Sequence, residues 1–107
     1  MMKKIYIASP YTIGDVELNV KKHIETAIEL IKLNYIPYAP LLSHYIDSKG
    51  SISYEKWLEI DSVWLLSCDA VLRLPGESKG ADRETAIALV ELIPVFYDIK
   101  ELQQGLF

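Results

Sequence analysis

The chain has 107 residues, about one domain's worth, so we expect a single domain over residues 1–107. Half of the residues are hydrophobic and 24% are charged, which excludes an intrinsically disordered chain. A formal net charge of −4 without a basic run argues against nucleic acid as a partner, and no apolar stretch is long enough for a membrane span.

The single cysteine, Cys68, excludes an internal disulfide, and no nearby residues have metal-ligand spacing. This usage fits a reducing compartment. The first residues contain two lysines but an apolar stretch too short for a signal peptide. We therefore expect a cytoplasmic protein that needs neither metal nor cofactor and whose partners are small molecules or protein.

The first half of the chain predicts a strand, a helix, a strand and a long loop. Lys3–Ser9 is predicted as a short, buried strand, with an apolar run over Ile5–Ala8, that ends before Pro10. A helix follows the N-cap Asp15, then Tyr35–Ala39 forms a second strand and Leu41–Ser53 the longest loop. The apolar face predicted for the helix consists of Val16, Val20, Ile24, Ala27, Ile28 and Ile31.

The second half repeats the alternation of helix and strand. The predicted elements are a helix from the cap Ser53 to about Ser67, a strand over Asp69–Leu74, a helix over Ala81–Leu92, a strand over Pro94–Tyr97 and a last helix capped by Asp98. Strands that alternate with helices in this way imply βαβ units. We predict an α/β fold with a small, mostly parallel sheet of about four strands, covered by helices on both faces.

Asp61 carries a charge where the pattern predicts none. On a helix, Tyr54, Trp57, Leu58, Ile60, Trp64 and Leu65 form one apolar arc, and Asp61 falls near its middle. A carboxylate turned toward a core must be paired, hydrogen-bonded or neutralised by a raised pKa, and the last state suits a general acid. Alternatively, Asp61 bonds to loop backbone or stands at the rim of the core.

The segment Pro75–Glu84 joins the third strand to the next helix. Its glycines and Ser78 let backbone N–H groups and the helix dipole face an anion, such as a nucleotide phosphate, although glycines at a tight turn usually serve geometry alone. The segment lacks the Gly-Lys-Ser/Thr of a P-loop, which disfavours ATP hydrolysis. Glu84 gains from the helix dipole, so a structural role is an alternative for it.

In a parallel sheet, ligands bind beyond the carboxyl ends of the strands. That rule singles out the segments that begin at Ser9, Ala39 and Pro75. Tyr6, in the first strand, needs a partner for its hydroxyl, either a catalytic carboxylate or a backbone carbonyl. His44, in the long loop, either contacts a ligand or is solvated.

The joint order of these pieces resembles the nucleoside 2-deoxyribosyltransferase family, whose superfamily includes the deoxynucleoside monophosphate N-glycosidases and compact phage and bacterial relatives. The pieces are Ile5–Pro10, Asp61 in a tryptophan-bearing helix, Cys68–Val71, and Ser78-Lys79-Gly80 leading to Glu84. The resemblance spans about Lys3 to Tyr97. It implies a Rossmann-like or flavodoxin-like three-layer sandwich, and cleavage or transfer at the N-glycosidic bond of a 2-deoxynucleoside or its 5′-monophosphate.

The resemblance also assigns roles to residues. Glu84 matches the nucleophile that attacks the anomeric carbon, Tyr6 the tyrosine that positions that carboxylate, and Asp61 the aspartate that handles the base and its proton. Ser78 matches a serine that binds phosphate, with a backbone N–H from Gly80. The other ligand contacts that we expect are Ser9 and His44.

Two classes of function remain open at this point, an enzyme and a non-catalytic module that binds or sequesters a nucleotide. Tyr6, Asp61 and Glu84 favour the enzyme, because a pure binder has no need for a carboxylate below the anomeric carbon. The loop Leu41–Tyr54 and the helix Tyr54–Leu66 carry more apolar surface than four short strands can cover. We therefore also expect a homodimer or a larger homo-oligomer.

Overall fold

The strands of the protein form one parallel sheet with helices between them. The computed structural model describes residues 2–47 and 49–106, with the side chains of His44 and Tyr45 outside that description. Its strands are β1 (Lys4–Ala8), β2 (Ile36–Tyr38), β3 (Ala70–Arg73) and β4 (Val95–Phe96). Its helices are α1 (Val16–Lys32), α2 (Ser43–Ile46), α3 (Tyr54–Leu66), α4 (Lys79–Val90) and α5 (Ile99–Gly105).

The strand order is β2-β1-β3-β4, and every pair of neighbours is parallel. From β1 the chain moves outward to β2 and then crosses back to β3 on the other side, so the order reverses between β1 and β3. Tyr6 in β1 lies level with Tyr38 in β2 and with Val71 in β3. The predicted α/β fold with a small parallel sheet is confirmed, and its switch point lies beside β1.

Alternating side chains of β1 enter two separate core layers. Ile5 and Ile7 pack with Leu30 of α1 and Leu102 of α5 on one face of the sheet. Tyr6 and Ala8 face the opposite layer, to which the helices contribute Leu65 of α3 and Ala81 and Ala88 of α4. Because successive residues of a strand point to opposite faces, one central strand supports both layers of the sandwich.

The apolar faces predicted for two helices are partly wrong. In α1 the fully buried residues are His23 and Leu30, whereas Ile28 and Ile31 are 47% and 60% exposed. Helix α1 is oriented so that the His23 imidazole lies at the end of β1, within hydrogen-bond distance of Ser9. In α3 only Leu65 is fully buried, whereas Tyr54 and Trp64 of the predicted apolar arc are 67% and 52% exposed.

Two boundaries also differ from the prediction. The long loop begins with a 3-10 turn at Pro40–Leu42 and continues directly into α2, and the Ser43 hydroxyl donates to the Pro40 carbonyl at 2.8 Å. Helix α4 begins at Lys79, two residues early, because the Ser78 side chain accepts a hydrogen bond from the Ala81 N–H and caps the helix. Within residues 2–47 and 49–106, no helix has the length and apolar character needed to cross a membrane.

Candidate active site

The carboxyl ends of β1 and β3 open into a cleft of about 320 Å³. Five of the predicted site residues line it: Ser9, Asp61, Ser78, Gly80 and Glu84. They come from the end of β1, from α3 and from the start of α4, so residues far apart in the sequence meet at the switch point. A ligand in the cleft would contact both carboxylates.

Glu84 accepts a hydrogen bond from a residue of the central strand, β1. Tyr6 is fully buried, and its hydroxyl donates to Oε2 of Glu84, which lies in the second turn of α4. Burial raises the pKa of Glu84 to about 7, and the charge of Asp61 adds to that rise, against the opposing effects of the Tyr6 hydrogen bond, Arg73 and Arg83. A carboxyl poised near neutrality exchanges between its two charge states under physiological conditions.

Asp61 has a tyrosine of its own. The Tyr38 hydroxyl donates to Oδ1 of Asp61 at 3.0 Å, so the carboxylate is paired with a side chain and stands at the rim of the core. Burial raises the pKa of Asp61, and the Tyr38 hydrogen bond opposes that shift. Glu84 and Asp61 therefore form two tyrosine-carboxylate pairs that share one cleft.

The two tyrosine-carboxylate pairs are in contact through the rings of Tyr6 and Tyr38. The ring centroids of Tyr6 and Tyr38 lie 5.4 Å apart, and Tyr38 stacks on Trp64 at 5.2 Å with an angle of 17° between the planes. Sequence analysis missed the bond from Tyr38 to Asp61. Its only signal was a tyrosine at the end of a strand.

Two glycines near the start of α4, one in the preceding turn and one in the first turn of the helix, have different requirements. Gly76 has φ +118°, and a Cβ there would lie 2.8 Å from Cγ of Pro10, so the backbone and the close approach both demand glycine. At Gly80 the nearest atom to a Cβ would be the Ser78 hydroxyl at 3.9 Å, an ordinary contact. Packing within the protein therefore does not require glycine at position 80, which lines the cleft.

Arg73 fixes the same turn from inside the protein. Its guanidinium donates to the carbonyl of Leu74, to that of Gly76 at 2.9 Å, and to Oδ1 of Asp82 at 3.1 Å. Only 8% of this residue is exposed. A buried arginine at the end of β3 thus holds the entrance to α4, a role that sequence analysis missed because the residue ends an apolar strand.

Ser9 is tied to α1 at the edge of the cleft. Its hydroxyl lies 2.6 Å from Nδ1 of His23, and burial lowers the pKa of this imidazole to about 4 despite the opposing Ala39 carbonyl. His23 is therefore neutral at pH 7. A second depression of about 230 Å³, between α1 and the turn at Leu74, shares Ser9 but contains neither Asp61 nor Glu84.

The cleft has an acidic character. The charged side chains on its lining are Asp61, Glu77 and Glu84 against Lys79. Among the residues that the structure describes, no cluster of three or more His, Cys, Asp or Glu is placed to hold a metal ion. The side chain of His44 lies outside the described part of the chain, so its predicted contact with a ligand stays a prediction.

The chain belongs to the family described as a domain of unknown function, DUF7768, whose profile matches residues 3–98. No curated protein sequence matches it. Among solved structures it is similar to a 2-deoxyribosyltransferase from the psychrotolerant bacterium Bacillus psychrosaccharolyticus, with a TM-score of 0.70 and 19% identity over 86% of this chain and 69% of that one. The nucleoside 2-deoxyribosyltransferase-like fold expected from the sequence is thereby confirmed.

The raised pKa of Glu84 predicts a pH-dependent gain in stability on substitution. Because the folded pKa of about 7 exceeds the ordinary 4.5, folding binds a proton between these values, and stability falls as the pH rises through them. Glu84→Gln should leave the free energy of unfolding nearly unchanged at pH 4.5 and raise it at pH 8, by up to about 3 kcal/mol.

Urea denaturation at the two pH values measures this difference. Glu91→Gln, at an exposed position just after α4, is the matched control and should behave like the parent protein at both. A Glu84→Gln variant that is destabilised equally at pH 4.5 and pH 8 would show that burial does not penalise the Glu84 carboxylate.

Proposed function

We propose that this protein cleaves or transfers at the N-glycosidic bond of a 2-deoxynucleoside or its 5′-monophosphate, with Glu84 as the nucleophile. The observation that best supports the proposal is the pair of carboxylates, Glu84 and Asp61, that line one cleft from two different helices, each bonded to its own tyrosine. The likeness in fold to a 2-deoxyribosyltransferase points in the same direction.

The Glu84 carboxylate suits attack on the anomeric carbon. Oε2 accepts the Tyr6 hydroxyl, which leaves Oε1 to form a bond to C1′ while the bond from C1′ to the base nitrogen breaks. The transition state carries positive charge on the sugar, and an anion close to it lowers the barrier. Water or a second base then displaces the glutamate and regenerates it, giving hydrolysis or transfer respectively.

Asp61 suits the leaving base. The electron pair of the breaking bond moves to the base nitrogen, and a proton delivered from Asp61 prevents a negative charge from building up there. Burial raises the pKa of Asp61, which helps the carboxyl to carry that proton. The reverse transfer, from the incoming base or water back to Asp61, restores the carboxyl for the next cycle.

The remaining cleft residues suit the sugar and its 5′ group. Ser9 and Ser78 are nearly buried hydroxyls on the two sides of the switch point, and Gly80 exposes backbone in the first turn of α4. A helix N-terminus favours oxygen ligands, charged ones above all. Trp57 also lines the cleft and offers an aromatic face for a base. We also propose, from its place in the long loop, that His44 contacts the ligand.

Activity should depend on both carboxylates and on pH. Glu84→Ala should abolish turnover with the fold intact, and Asp61→Asn should lower kcat by about 100-fold or more, because the amide has no transferable proton. Because turnover needs Glu84 ionised and Asp61 protonated, the rate of the parent protein should be bell-shaped in pH, with one limb near the Glu84 pKa of about 7. Glu91→Ala, which removes a carboxylate outside the cleft, should keep full activity.

The assay is release of free base from a panel of deoxynucleosides and their monophosphates, with and without an acceptor base, followed by chromatography. Calorimetric binding to the same panel separates the two classes of function. A parent protein that binds a nucleotide but releases no base would establish the sequestering module in place of the enzyme.

We also propose that the protein is a homodimer that uses the outer face of α3. Val63, Trp64 and Leu66 are each more than half exposed on that helix, and exposed apolar residues grouped on one element are typical of interfaces. Sedimentation at micromolar concentration should give a dimer, and Val63→Glu with Leu66→Glu should give a monomer. A parent protein that is monomeric and fully active would contradict this assembly.

A further inference from the structure

Tyr38 occupies the position where the two carboxylate pairs meet. It ends β2 and lies level with Tyr6 of the neighbouring strand, so the two rings pack side by side on one face of the sheet. Trp64 of α3 stacks on the Tyr38 ring as well. The ring therefore has two aromatic neighbours, and its hydroxyl donates to Oδ1 of Asp61.

That hydrogen bond changes the chemistry of Asp61 in two ways. It engages Oδ1 and leaves Oδ2 as the oxygen that can hold or release a proton toward a ligand. It also stabilises the ionised carboxylate, in opposition to the burial that raises the pKa of Asp61. A proton on Asp61 is therefore released more readily than it would be without Tyr38.

We infer that Tyr38 is a positioning residue that acts through Asp61, orienting the acid and making it a stronger proton donor to the departing base. The inference rests on the proposed function for its catalytic meaning, whereas the effect on the carboxylates exists in the free protein. Because the charge of Asp61 raises the pKa of Glu84, Tyr38 also influences the nucleophile without contacting it.

The charged and titratable groups around this pair come from every element packed against it. Tyr6 on β1, Glu84 on α4 and Cys68 after α3 act on Tyr38 or on its partner, and Arg73 and Arg83 act on Glu84. Burial raises the pKa of Tyr38 and that of the Cys68 thiol, the latter to about 11, so both remain protonated at neutral pH. Of these groups, Glu84, whose pKa is raised to about 7, changes charge near neutral pH.

Tyr38→Phe isolates the hydroxyl, since the phenyl ring keeps the packing between Tyr6 and Trp64. Carbon-13 NMR of the side-chain carboxyls, titrated in the free protein, should show the pKa of Asp61 rising and that of Glu84 falling, because a protonated Asp61 no longer repels the Glu84 charge. In the assay above, kcat should fall about tenfold with KM little changed. Tyr35→Phe, whose ring packs in the opposite core layer, should change none of these quantities.

A second variant tests the route of the effect. On an Asp61→Asn background, adding Tyr38→Phe should leave the pKa of Glu84 where it was, because the acid through which Tyr38 acts is gone. Unchanged carboxyl pKa values in Tyr38→Phe, or an equal shift of Glu84 with and without Asp61, would overturn the inference. If the pKa values shift as expected but the protein has no turnover, the result supports Tyr38 acting through Asp61 and rejects only the proposed function.

Discussion

The hydrogen bond between Tyr6 and Glu84 is the contact on which the arrangement of this protein depends. It joins the central strand β1 to α4 and holds a carboxylate beside the switch point of the sheet. A buried carboxylate is unfavourable unless it is hydrogen-bonded or protonated, and Glu84 combines both with a pKa of about 7. Such a group makes the protein less stable than an apolar side chain at that position would, and carboxyls with strongly raised pKa values cluster at functional sites.

Among the described residues, the buried polar side-chain atoms other than Nε2 of His23 have hydrogen-bond partners. Arg73 satisfies the carbonyls of the turn before α4, and the Ser78 hydroxyl caps the helix. His23 is neutral and meets Ser9 at the end of β1. Together these contacts hold two of the segments that line the cleft, the end of β1 and the start of α4.

The sequence predicted the fold well because strand and helix periods, caps and prolines are local signals. It also pointed to Tyr6, Asp61 and Glu84, since a polar group in an apolar pattern is visible in one dimension. The bond from Tyr38 to Asp61 could not be predicted, because it depends on β2 lying beside β1, and strand order is not a local property. The burial of His23 was missed because Ile28 and Ile31 of α1 suggested a different buried face for that helix.

The central claim is that Glu84 forms a covalent bond to the sugar, and trapping that intermediate tests it most directly. A 2-deoxy-2-fluoro analogue of a substrate found in the panel slows breakdown of a glycosyl-enzyme, because the fluorine disfavours the positively charged transition state. Mass spectrometry should show one fluorosugar added to the protein, located on the peptide that contains Glu84 and absent from Glu84→Gln. Release of base without any adduct, or an adduct on another residue, would contradict the account.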